Sequence, residues 1–265
     1  MTETSIPTYS ERFKAADADL TISSSDNVLF KVHRKNLEIY SDIFPGTDVP
    51  VNNEVVPLSE KASTLELLFQ YMYRQRQPDL NKIDADELAM LAEAAEKYSV
   101  YAAMEVCKLC MQSAIQKMPL LVMGYAARHG YESLCEEAAP HTVQAQAADA
   151  FKHLDGGCFA SWVLYREHWL EILYDIHCPP RSPMLHKGGL PECPLWLPFQ
   201  WRVVQDIGGS LARLQQSSPS ATLDEHRHLL DDCKQCNARA DLWIHAIVWK
   251  LADIPTFDLA LRALA

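Results

Sequence analysis

Apolar and polar positions alternate early in the chain and then change to helical spacing. Asp19-Leu-Thr-Ile-Ser23 alternates, Ser24-Ser-Asp-Asn27 supplies turn residues, and Val28-Leu-Phe-Lys-Val32 is an apolar run. Together they predict a β-hairpin. A helix pattern begins at His33, with Leu37 and Tyr40 at helical spacing, and Ser41-Asp-Ile-Phe44 closes it before Pro45-Gly46. Glu54-Val-Val-Pro-Leu58 reads as another short strand. Leu65, Leu68, Phe69 and Met72 then form a helix face ending near Tyr73, and Pro78 breaks the next segment. Asp84, with Glu87 three residues on, is a capping-box-like start for a helix carrying Leu88, Leu91, Ala92, Ala95 and Tyr98. A further helix is predicted from about Val100 to Lys117, with Val106, Leu109, Cys110 and Ser113 on one side. Strands first and paired helices after them predict an α+β domain.

The remainder reads as helical throughout. Pro119 opens a helix and Gly130 closes it, the usual asymmetry of proline inside the start and glycine past the end. Tyr131–Ala139 is its partner. Helical spacing resumes from Ala145 to Leu154, and Asp155-Gly-Gly157 breaks it. Phe159 to His177 is long and aromatic, with Trp162, Tyr165, Trp169 and Tyr174, a stripe expected to be core. From Cys178 to Pro198 the chain is rich in proline and glycine and holds His186 and Cys193; a loop of this length is either mobile or held by something. Trp201 to Gln216 is helical, Ser217-Ser-Pro-Ser220 is a loop, and Thr222 with Glu225 caps the next helix. A last helix runs from Ala238 to Leu251.

Composition narrows the classes. The 265 residues are 48% hydrophobic and 22% charged, a globular balance rather than a disordered one. The net charge is −11, with 12 Lys/Arg against 18 Asp/Glu up to Met118 and 12 against 17 beyond it. Acidity so evenly spread leaves no basic block to neutralise phosphates, which argues against nucleic acid and anionic membranes as partners. The start of the chain has no signal-peptide core, and its most apolar run, Met118 to Ala127, is about half the length of a membrane span. A cytoplasmic or nuclear protein, not a secreted one, is the expectation. Its eight cysteines are then expected reduced.

Two Cys-x-x-Cys pairs occur. Cys107-Lys-Leu-Cys110 falls mid-helix and reads as two packing thiols. Cys233-Lys-Gln-Cys236 is the candidate half of a metal site, because two thiolates at that spacing bind one Zn²⁺ and two more soft ligands close the tetrahedron. Cys178 and Cys193, which bracket the proline-rich loop, are the proposed completing ligands; His177, His186 and His226 are alternates. Four ordinary cysteines is the competing reading. A redox pair would need a preceding strand in a thioredoxin-like sheet, which is not seen. A catalytic zinc would need an open position and a base such as Glu225. His33, at a strand-to-helix junction, reads as a structural, hydrogen-bonded histidine. Ser41 beside Asp42 lacks the Gly-x-Ser-x-Gly frame of a hydrolase. No catalytic residue is assigned.

The ordered set Ala18-Asp-Leu-Thr-Ile22, Phe30-Lys-Val-His-Arg34, Leu37, Ser41-Asp-Ile-Phe44, Val56-Pro-Leu-Ser-Glu60, Leu65–Tyr73 and Ala92–Tyr98 resembles the BTB/POZ domain over residues 17–116. It looks most like the large fungal class, in which the domain opens a longer helical chain, here 117–265. In that class a Tyr-containing helix ending in cysteine, then a Cys-x-x-Cys before a Trp-bearing helix, recurs; here these are Tyr174 to Cys178, Cys233/Cys236 and Trp243. The resemblance implies a shallow pocket at a dimer groove that holds Asp19 and Arg34, with His33 beside them; two solvated surface charges is the competing reading of Asp19 and Arg34. It implies homodimerisation through an arm before Asp17, with Ile6 and Phe13. It also implies, for many members, a cullin contact through the middle helices and an apolar-x-Glu element; the corresponding loop, Pro45–Asn53, has no clear copy. The expected function is protein–protein interaction: self-association by the first part and partner recognition by the second, as a cullin-linked ubiquitin ligase adaptor or a transcriptional or scaffolding module. A non-enzyme is expected, with a metal-dependent hydrolase in the C-terminal half as the rival.

Overall fold

A computed structural model describes residues 8–44, 55–181, 185–186, 193–231 and 233–257. The chain divides into two units, Met1–Gly130 and Tyr131–Ala265. The boundary expected after residue 116 falls inside the first of these.

In the first unit, alternation does what the pattern implies. Strand β2 (Leu20–Ser23) pairs antiparallel with β3 (Val28–Val32), Leu20 opposite Val32 and Ile22 opposite Phe30. Asn27 takes the turn at φ 63°, a conformation asparagine tolerates better than most residues. Strand β1 (Thr8–Lys14) lies parallel to β3, and β4 (Val56–Pro57) parallel to β2, giving the order β1-β3-β2-β4. The residues before Asp17 that are described thus pair with their own chain. Phe13 is buried edge-on against Phe69 at 5.6 Å, while Ile6 lies outside the described residues.

Helices cover one side of this sheet. Helix α1 (Arg34–Tyr40) follows His33, and α2 (Ala62–Gln70) buries Leu65, Leu68 and Phe69, with Met72 just beyond its end. Helix α3 (Ala85–Lys97) starts where expected: the Asp84 carboxylate accepts the N–H of Glu87 at 2.8 Å. Its apolar face, Leu88, Leu91, Ala92 and Ala95, is buried together with Tyr98. Fully burying each leucine-sized side chain contributes roughly 1.5–3 kcal/mol, so these rows hold the unit together.

Helix α4 (Tyr101–Ala114) corrects the sequence reading. Ala103, Cys107 and Met111 are its buried face, and Leu109 is 62% exposed. The spacing of Val106, Leu109, Cys110 and Ser113 is as helical as that of Ala103, Cys107 and Met111, so periodicity alone did not decide which face meets α3. Helix α5 (Pro119–Arg128) has proline in its first turn and Gly130 at φ 71° past its end.

The second unit is helical: α6 (Glu132–Thr142), α7 (Ala147–His153), α8 (Gly156–His177), α9 (Trp196–Ile207), α10 (Leu211–Gln216), α11 (Pro219–His226) and α12 (Lys234–Ala252). The break expected at Asp155-Gly-Gly157 is confined to Leu154 and Asp155, because the Asp155 carboxylate accepts the N–H of Cys158 at 2.8 Å and starts α8 at the glycines. The helix expected over 201–216 begins earlier and divides at Gly208-Gly209. A side chain at Gly208 would meet Ile176 Cγ2 at 2.8 Å and the Val204 carbonyl at 2.9 Å, so helix packing there requires glycine. Ser218, not Thr222, caps α11, ahead of Pro219 in the first turn. Trp162 and Tyr165 are core as expected, whereas Tyr174 is 67% exposed. The centre of this unit gathers Ile172, Ile176, Trp196, Phe199, Val203, Trp243 and Ile247.

Candidate functional site

The junction between β3 and α1 brings Asp19, His33 and Arg34 together. The Asp19 carboxylate accepts the backbone N–H of Arg34 at 2.8 Å, so it serves as an N-cap delivered from a neighbouring segment. The Tyr73 hydroxyl meets His33 twice: it accepts the backbone N–H at 2.8 Å and lies 3.1 Å from Nδ1. His33 Nε2 is 3.4 Å from the exposed Asp17 carboxylate. Burial raises the Tyr73 phenol, against which the His33 N–H and the Asn36 side chain pull it down. Arg34 is 9% exposed. His33 therefore has the Tyr73 hydroxyl at one ring nitrogen and the Asp17 carboxylate near the other. Ser41 is likewise committed: its Oγ donates to the Tyr98 carbonyl and accepts from the N–H groups of Ile43 and Phe44.

In the second unit, four soft donors converge. His186, Cys193, Cys233 and Cys236 offer ligand atoms that all lie within 4.8 Å of one another. Three separate segments supply them. His186 comes from the proline-rich stretch. Cys193 precedes α9, where its carbonyl accepts the Trp196 N–H at 3.0 Å. Cys233 is the N-cap of α12 and Cys236 sits in the first turn of that helix. The Cys233 Sγ to His186 Nδ1 distance is 3.5 Å. A tetrahedral zinc with Zn–S of about 2.3 Å and Zn–N of about 2.05 Å has an S···N edge of about 3.6 Å and S···S edges of about 3.8 Å. The donor set is thus close to the size such an ion requires, and it has four donors.

The thiols differ in character. Burial alone would raise Cys233, but the N–H and thiol of Cys236 and the thiol of Cys193 outweigh it and leave Cys233 below the usual thiol value. A helix N-terminus favours a thiolate in the same way. Cys236 is 1% exposed, and burial and the neighbouring thiols push it up to about 12.

Of the four cysteines expected to bind metal, Cys193, Cys233 and Cys236 are brought together and Cys178 is not. Cys178 caps the end of α8, is exposed, and lies against Tyr174. His186, an alternate in the sequence reading, stands in its place. The other alternates are engaged elsewhere: His177 Nε2 lies 2.9 Å from the Gly208 carbonyl and His226 Nε2 lies 2.5 Å from Asp206. Arg239 is a residue the sequence did not mark. Its guanidinium sits 3.9 Å from the Trp196 ring centroid and donates to the Pro180 carbonyl, so it ties the chain beyond α8 to α12. Helix α12 also carries Lys234, Gln235, Asn237, Asp241, His245 and Lys250, so an arginine within it gave no distinct signal in the sequence.

Residues 10–114 match the BTB/POZ domain family. The chain carries a BTB/POZ domain. BTB/POZ domains are protein–protein interaction modules, and this one consists of the four-stranded sheet with the helices packed on it. No curated protein matches the chain. Within the BTB domain, Cys107 is fully buried and held at about 12 by burial and by Cys110, which suits a packing thiol and not a ligand. The loop at 45–53, where the apolar-x-Glu element was sought, lies outside the described residues. No described helix is long and apolar enough to cross a membrane.

Proposed function

We propose that the protein is a non-enzymatic adaptor: the BTB domain, taken as residues 17–116, pairs with a second copy of itself, and the helical region, 117–265, recognises a partner protein. The family match over residues 10–114 carries this reading. A cullin scaffold is the first partner to test, and a role in transcription or scaffolding without a ligase is the alternative. In the helical region His186, Cys193, Cys233 and Cys236 hold one structural Zn²⁺. Four protein donors support a closed site rather than a catalytic one, which keeps a position open for water, and hence weigh against the hydrolase reading. Reduced thiols of this kind suit a cytoplasmic or nuclear setting, without nucleic acid or membrane as partner.

Size-exclusion chromatography of the full chain with light scattering tests self-association. A dimer mass at micromolar concentration is expected, and a monomer under the same conditions refutes it. Pull-down of a cullin by the unmodified protein tests the ligase role, and absence of retention removes it.

A further inference from the structure

Helices α8 and α12 pack together through Ile172, Ile176, Trp243 and Ile247, and they leave an outward face that the core does not use. A groove of about 640 Å³ runs along it, lined by Glu167, Leu170, Glu171, Tyr174, Asp175 and Lys250. A smaller one of about 150 Å³ shares Glu171 and Lys250 and adds Trp249 and Asp253. Two features distinguish this face. Tyr174 and Trp249 are large aromatics left 67% and 61% exposed. Exposed aromatics beside a groove are the residues that most often anchor a partner.

The charge around them is one-sided. Lys250 is the one lysine or arginine lining either groove, and its Nζ is bonded to the Asp175 carboxylate at 2.5 Å. Glu171 acts on that same ammonium, and Glu167 and Asp253 have no ion-pair partner among the described residues. Three carboxylates therefore remain incompletely balanced beside two aromatic rings. Guanidinium and ammonium groups are attracted both to carboxylates and to the faces of tryptophan and tyrosine. An acidic ligand would be repelled here. A purely apolar one would leave the carboxylates to be desolvated without compensation.

We propose that this α8/α12 face docks a basic amphipathic peptide segment of a partner protein, its Lys/Arg side chains paired with Glu167, Glu171 and Asp253 and an apolar anchor set beside Tyr174 and Trp249. This rests on the reading that the helical region recognises a partner, and it names the chemistry of that partner.

The probe is a synthetic Leu/Lys amphipathic peptide titrated into the full chain by calorimetry, with a Leu/Glu peptide of the same apolar pattern beside it. The Leu/Lys peptide is expected to bind and the Leu/Glu peptide not. The double substitution Glu167→Gln/Glu171→Gln and, separately, Trp249→Ala are each expected to weaken binding about tenfold, equivalent to about 1.4 kcal/mol. Glu136→Gln/Glu225→Gln removes the same charge from other exposed positions of the same unit and is expected to leave binding unchanged. No binding of the Leu/Lys peptide, equal binding of the Leu/Glu peptide, or equal loss in the Glu136/Glu225 control each overturns the proposal. Light scattering on Trp249→Ala separates the remaining case: if this substitution converts a dimer into a monomer, the face serves a second copy and the basic-peptide assignment is wrong. BTB pairing is read by a dimer mass that survives Trp249→Ala, and the docking assignment by calorimetry: a monomeric unmodified chain that binds the Leu/Lys peptide fails only the first, and a dimer that keeps its mass in Trp249→Ala but binds no peptide fails only the second.

Discussion

Removal of the zinc proposed for the Cys₃His cluster is the sharpest perturbation the structure offers. His186 and Cys233 are 47 residues apart in sequence and 3.5 Å apart in space. An ion bridging them closes that loop in the unfolded chain as a cross-link does. For a loop of this length the chain-entropy relation gives about 14 cal/mol/K, or about 4 kcal/mol at 25 °C. In a unit of this size one kcal/mol corresponds to about 3–4 °C in melting temperature, so full loss of the bridge is worth about 12–16 °C. The assay is differential scanning calorimetry of the full chain with and without chelator, alongside elemental analysis of the purified protein. One zinc per chain is expected. Chelation, His186→Ala and Cys236→Ser are each expected to lower the transition of the helical unit by that order and to leave the transition of the BTB unit in place. Cys178→Ser is the control: an exposed cysteine outside the cluster should change stability by no more than about 0.5 kcal/mol. The reasoning is refuted if no metal is found and chelator moves neither transition, or if Cys178→Ser is as damaging as His186→Ala.

Two further outcomes follow from the first unit. Burial raises the Glu60 carboxyl, but bonds from Lys97, Tyr98 and Ser59 outweigh it and hold it below its ordinary value of 4.5, so its stabilising share is complete above that value and is lost as pH falls through the depressed one; thermal melts from about pH 5 to about pH 3 should show a declining first transition, with a flatter decline in Glu60→Gln. Met111→Ala should destabilise by about 2–5 kcal/mol in urea titration and Leu109→Ala by no more than about 0.5 kcal/mol, because only Met111 is buried, and equal losses would contradict the orientation of α4.

The elements of the first unit were legible because their patterns are local. The hairpin of β2 and β3 follows from alternation around a polar turn. The start of α3 follows from Asp84 and Glu87, and the buried row of α2 from three- and four-residue spacing. Where two faces of one helix carried comparable residues, as in α4, spacing could not choose between them. The start of α8 was misread for a related reason: glycines after Asp155 resemble a breaker, yet a capping aspartate outweighs them. The break at Gly208 depends on Ile176 pressing against it from another helix, which no window of sequence contains.

The Cys₃His cluster divides along the same line. The sequence by itself determined that Cys233 and Cys236 stand at the spacing of two ligands to one ion; that α12 begins at Lys234, and so puts the pair at its N-terminus rather than ahead of a helix starting at Ala238, came from the structure. It also determined the acidic charge, the α+β order of the first unit and the helical character of the second. Which distant residues meet that pair was decided only by the tertiary structure. Cys178 opens the proline-rich stretch and His186 lies within it, and the fold turns His186 inward while leaving Cys178 exposed at the end of α8. The outward setting of Tyr174 and Trp249 is of the same kind, since an aromatic stripe shows which helix is rich in rings but not which of them the neighbouring helices cover. Contacts between residues far apart in sequence are set by the packing of whole helices, and that packing minimises exposed apolar area over the entire unit at once.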